Sequence, residues 1–140
     1  MKATIDRQKV LLILDWCITK FGISRFHDDY PELRVYKSKG MSGNKNKKSG
    51  LCGTYGGGVI TIYLGSNRSV RELCETVVHE YKHYLLNHDE YEKIEKKMQM
   101  SGLTDSDLYT KHPHEKGAIR MEKKWGEICF NELRNKLYKR

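Results

Sequence analysis

Residues 56–86 read GGGVITIYLGSNRSVRELCETVVHEYKHYLL, and a change of period inside that run sets the architecture. Positions 59–64 alternate as a strand does, directly after the turn-forming Gly56-Gly57-Gly58. Ser69-Val70-Arg71-Glu72 then has the form of a capping box, a hydroxyl at the N-cap with a carboxylate three residues on. Beyond it Leu73, Val77, Tyr81, Tyr84 and Leu85 recur at helical spacing, which predicts a helix over about 70–88.

Working outward, 33–37 (LRVYK) and 51–55 repeat the strand pattern, so the middle of the chain reads as a small, mainly antiparallel sheet. Upstream, between positions 4 and 21, Val10, Leu11, Leu14, Ile18 and Phe21 keep a helical period, and Gly22 follows where a left-handed C-cap falls. Downstream, the polar segment 89–110 carries a further short helix, and Pro113 suits the first turn of a last long helix reaching about 138. The expected fold is α+β, in one domain spanning 1–140: an N-terminal helix, a small sheet, the 70–88 helix beneath it and a C-terminal helix.

Composition bounds the function. With 38% hydrophobic and 31% charged residues the chain lies outside the regime that prevents core formation, so a globular protein is expected. The apolar run 10–14 is too short for a signal-peptide core or a membrane span, and the expected location is cytoplasmic. Cys17, Cys52, Cys74 and Cys129 are far apart with no Cys-x-x-Cys pair, which reads as reduced thiols and neither a disulfide framework nor a cysteine metal site. The net charge of +8 raises an acidic partner such as nucleic acid. Its densest run, KSKGMSGNKNKK at 37–48 with Lys45, Lys47 and Lys48, is also rich in Gly, Ser and Asn, the composition of a solvated loop.

His79-Glu80-Tyr81-Lys82-His83 is an HExxH motif. Residues four apart on a helix differ by only about 40° around the axis, so both imidazoles face one ion. Glu80, one step along, lies beside the metal without binding it, where it can take a proton from a metal-activated water and return it to a leaving amine. Zinc suits such a site, which needs three protein ligands and one open position. The third ligand must come from downstream. A continuation HExxHxxGxxH would need a glycine and a ligand where Leu86 and Asp89 stand, and without the glycine the chain has no easy turn back. His88 is nine residues from His79, about 180° around a continuous helix. The better region is 112–118, which offers His112, His114 and Glu115.

The run at 56–86, followed by HPHEKGAIRMEKKW at 112–125, resembles small zincin-like proteins among phage and bacterial metallopeptidases. In that pattern an Ile-rich strand precedes the HExxH helix and a later helix carries Glu-x-x-Ala. The resemblance implies a gluzincin-type site in which Glu115 is the third zinc ligand and Ala118 allows close approach to the HExxH helix. It also implies peptide-bond hydrolysis with Glu80 as general base. The chain departs from larger gluzincins in its short length and in having no oxyanion-stabilising His or Tyr motif; Tyr84 and Tyr109 are the residues considered for that role. An extended peptide substrate would pair with an edge offered by strand 59–64. The alternatives are a DNA-associated metalloprotease resembling the SprT-like class, using the basic surface and normally a third His, and a non-catalytic basic binding protein on the same scaffold.

Overall fold

The computed structural model describes residues 4–40, 51–86, 88–103 and 111–138. Among these the chain is α+β, with four helices and a three-stranded mixed sheet. The basic positions Lys45, Lys47 and Lys48, and Tyr109, lie outside the described residues.

Helix α1 (Arg7–Phe21) starts where the Asp6 carboxylate accepts from the Lys9 N–H and ends at Gly22, whose N–H bonds the Ile18 carbonyl. It buries Val10, Ile13, Leu14 and Cys17, while Leu11, expected in the core, is 43% exposed. The inward stripe is therefore turned from the one read off the sequence, because 10–14 is apolar all round and its period alone does not choose a face.

Strands β1 (Glu32–Tyr36), β2 (Gly53–Gly56) and β3 (Val59–Tyr63) form the sheet in the order β1-β3-β2. Gly57 and Gly58 both take positive φ, 57° and 79°, the signature of a tight hairpin whose twist matches its strands, and this makes β2 and β3 antiparallel. β1, however, pairs with β3 in parallel, from Glu32 opposite Val59 to Tyr36 opposite Tyr63. The sheet is thus mixed and not mainly antiparallel. The chain returns from the end of β1 to the start of the hairpin before β3 is made, so β1 meets the hairpin's second arm running the same way. Alternation reports a strand but not its direction. A second correction follows from the order: β3, expected to offer an edge, is bonded on both sides, and the edge beside helix α2 belongs to β2.

Helix α2 (Val70–Leu85) begins as its capping box predicts, with Ser69 Oγ accepting from the Glu72 N–H at 3.1 Å. It stops three residues short of the expected end, and α3 (His88–Met100) starts a separate helix. Helix α4 (Pro113–Leu137) closes the fold. Ile60 and Ile62 of β3 meet Leu73, Val77, Val78 and Tyr81 of α2 and Cys129, Leu133 and Leu137 of α4 in one apolar core. Each fully buried aliphatic side chain there contributes about 1.5–3 kcal/mol. Tyr81 and Tyr84 carry their hydroxyls to the segment after α1. Tyr81 donates to the Gly22 carbonyl; Tyr84 accepts from the Ser24 N–H and donates to the Asp29 carbonyl. No helix among the described residues is long and apolar enough to cross a membrane.

Gly126 of α4 lies directly against Glu75 of α2. A Cβ there would stand 2.7 Å from Glu75 Cγ and 3.0 Å from its Cα, whereas one at Gly117 would meet nothing nearer than Lys82 Cε at 3.9 Å. Gly126→Ala should therefore lower the melting temperature by the equivalent of about 1–3 kcal/mol. Gly117→Ala should leave it unchanged or raise it by up to about 1 kcal/mol through helix propensity. Equal shifts for the two variants in a thermal melt would contradict this packing.

Candidate metal centre

Because α2 is held with one face on the core and the next toward α4, the two histidines of the motif project from adjacent turns into the gap between these helices. Their rings lie 5.1 Å apart. Glu115, in the first turn of α4, reaches both: Oε1 is 2.8 Å from His83 Nε2 and Oε2 is 3.5 Å from His79 Nε2. One ligand atom from each of His79, His83 and Glu115 lies within 4.8 Å of the others, a grouping able to hold a metal ion. Pro113 at the start of α4 places Glu115 in the first helical turn, where the unpaired amides also favour a carboxylate.

The donor set fits a divalent cation. Two imidazoles and one carboxylate are suitable ligands, and Glu115 Oε2 is buried with no hydrogen-bond partner among the described residues. A buried lone carboxylate oxygen is costly unless something positive occupies its field. In the absence of metal that charge is protons. Burial opposes protonation of His79, but the Glu115 and Glu122 carboxylates paired with it and the nearby Glu80 charge outweigh burial and push it up to about 10. Burial would raise Glu115, yet the two histidines beside it, His79 and His83, hold it down at about 2.

Glu80 is buried on the same helix and lines the same cleft. Burial pushes its carboxyl up from the ordinary value, against the lowering pull of His79 and His83. That shift moves it toward the neutral range in which a carboxylate exchanges protons effectively.

The other sequence-proposed ligands stand elsewhere. His112 is fully buried, with Nδ1 accepting from the His114 N–H and Nε2 3.1 Å from the Tyr91 carbonyl; it caps α4 and ties α3 to it. His114 points Nε2 to Glu90 at 3.7 Å, and His88 pairs with Glu92 at 3.2 Å. Asp89 is exposed in the first turn of α3. None of these four belongs to the 4.8 Å group. Tyr84 is buried with its hydroxyl on the backbone of the α1–β1 connection, so it does not serve the cleft as an oxyanion donor.

Two residues that the sequence reading missed complete the surroundings. Glu122 Oε1 lies 3.6 Å from His79 Nδ1, the ring nitrogen opposite the one facing Glu115. A carboxylate there fixes the ring and its tautomer and strengthens the other nitrogen as a ligand. A signal for it existed: Glu122 is two turns after Glu115 and shares its helix face. Tyr91 of α3 brings its hydroxyl to 3.4 Å from Glu115 Oε1. No spacing rule marks it among nine tyrosines.

These groups open on a cleft of about 450 Å³, bounded by α2, by β2 with Leu51 and Cys52, and by Tyr91 and His114. No protein-family model, curated protein or solved structure matches this chain.

Two measurements test the centre. In zinc titrations against a chromophoric chelator, Glu115→Ala should lose high-affinity binding, while His112→Ala and His114→Ala keep it even though the first loses a cap worth about 1 kcal/mol of stability. The opposite pattern would replace Glu115 with a histidine. The second concerns protons. His79 stabilises the metal-free chain fully below its ordinary value of 6.5, and that contribution disappears as pH rises through about 10. Glu115 contributes fully above its ordinary 4.5, and loses this as pH falls through about 2. Metal-free stability should thus be greatest between those ordinary values. Zinc bound to His79 would displace its proton, so affinity should rise about tenfold per pH unit from pH 6 to 8, and less steeply in Glu122→Gln. A flat profile would show that His79 gives up no proton to the metal.

Proposed function

We propose that this protein is a zinc metallopeptidase of gluzincin type, with His79, His83 and Glu115 as ligands and Glu80 as general base. The observation that carries this reading is the convergence of a carboxylate from α4 on both histidines of an HExxH helix, with the motif's own glutamate buried beside them and the group open to a cleft. A Glu in the third place supports the gluzincin reading over a three-histidine site. Two imidazoles with one carboxylate, leaving a fourth position for water, are a donor set that zinc enzymes use.

When bound, zinc supplies Lewis acidity, polarising a scissile carbonyl and making water more acidic. The Glu80 carboxylate takes up the proton that the attacking water loses and delivers it to the departing amine nitrogen. Its burial supports both halves of the task, since a raised carboxyl accepts a proton readily and holds it long enough to return it. Glu122 keeps the His79 ring turned toward Glu115. The substrate chain is positioned along β2, the strand at the cleft-side end of the sheet, whose Gly53, Thr54 and Tyr55 line the cleft. An extended peptide adding to that edge would set its backbone beside His79 and Glu80 through main-chain hydrogen bonds.

The test separates base from ligand. Glu80→Gln should retain close to one zinc per chain and lose at least about 10²-fold in peptide hydrolysis, the usual contribution of a positioned base. Zinc-loaded Glu80→Gln that cleaves as fast as the parent would remove Glu80 from the chemistry, and a variant that drops its zinc would make Glu80 a ligand.

A further inference from the structure

Helix α3 has no buried residue, yet it lies against the metal centre. Besides the Glu90–His114 pair, it is attached through Tyr91. The Tyr91 ring stacks on His112 at 4.1 Å and 21°, meets His83 edge-on at 5.9 Å and packs on His114 at 5.6 Å. Its carbonyl is bonded to His112 Nε2 at 3.1 Å. The phenol is therefore gripped on its faces and by its backbone, and its hydroxyl is carried to the cleft, 3.4 Å from Glu115 Oε1.

Three donors on the cleft wall are engaged away from the centre. Tyr55 shares a hydrogen bond with His27 at 3.1 Å, Thr76 donates to Asn67 at 2.8 Å, and Arg68 pairs with Glu72 at 3.8 Å. The Tyr91 hydroxyl differs in both position and engagement. Its bond to Glu115 is long and therefore weak, and the oxygen it touches is one that a bound metal would claim.

We infer that Tyr91 is a catalytic residue, its O–H donating to the oxygen on which negative charge develops as the scissile carbonyl is attacked. The inference rests on the peptidase reading and deepens it, by assigning the electrophilic partner that the HExxH motif does not contain. A preorganised donor on a packed ring costs no reorganisation at the moment of reaction, which is what makes such a group effective. His112 is its positioning residue, holding the ring face and the main chain at once.

Tyr91→Phe keeps the ring and removes only the donor. In the zinc-loaded chain, kcat on the fastest-cleaved member of a peptide library should fall about 10²–10³-fold, with KM within about threefold and one zinc retained. A second readout needs no turnover. Acetohydroxamate, whose anionic oxygen presents the same acceptor, should bind the zinc-loaded variant about tenfold or more weakly than the parent, as loss of a hydrogen bond to charge predicts. Unchanged acetohydroxamate affinity in a variant with its zinc and parental melting temperature would overturn the assignment. So would loss of zinc from Tyr91→Phe, which would make the phenol a ligand, or a kcat loss found in Tyr55→Phe instead. If the zinc-loaded parent cleaves no peptide, the peptidase reading falls and the acetohydroxamate comparison alone decides whether Tyr91 serves an anionic oxygen.

Discussion

Helix α2 must lie against α4 closely enough for a short carboxylate side chain on one to reach two imidazoles on the other. Gly126 permits that approach by leaving room for the Glu75 backbone and side chain, and Ala118, fully buried, adds little bulk nearer the centre. Cys129, Leu133 and Leu137 then bury the far half of α4 in the same core as Leu73, Val77 and Val78. The apolar half of the contact thus sets the spacing at which the polar half operates. Close-packed interiors transmit such constraints because they have little free volume in which to relax.

The polar half is under tension of its own. Glu115, Glu80 and Glu122 bring three carboxylates near His79. Burying ionisable groups costs free energy unless each is paired. This arrangement holds His79 protonated and Glu115 ionised in the absence of a cation. A divalent ion held there would displace the His79 proton and satisfy the buried Glu115 oxygen.

The remaining elements serve this pair of helices. The sheet covers α2 on one side and ends in β2, which borders the cleft. Tyr81 and Tyr84, on the opposite side of α2 from the cleft, hold the α1–β1 connection through backbone hydrogen bonds. α3 is different in kind, since it has no buried residue and is joined to α4 by the Tyr91 ring, the His112 bond to its backbone and the Glu90–His114 pair.

Local chemistry made much of this legible in the sequence. The Ser69 cap, the Gly57-Gly58 turn, the helices beginning at Val70 and Pro113, and the four-residue spacing of His79 and His83 are all set by interactions within a few residues. Reading the residues brought Glu115 only as far as one of three candidates at 112–118, and a resemblance singled it out, because nothing local ties it to His83, 32 residues earlier. Three things were decided by tertiary structure alone. One is the parallel pairing of β1, since strand alternation has no direction. Another is the exclusion of His112 and His114 from the metal group, since their partners are a helix terminus, a distant carbonyl and Glu90. The last is the placing of Tyr91 and Glu122, whose roles depend on which faces of α3 and α4 meet α2. A sequence states which groups an element carries and at what angle around its axis. Where those groups converge is settled by packing, because only the burial of apolar surface between elements distant in the chain fixes how those axes lie relative to one another.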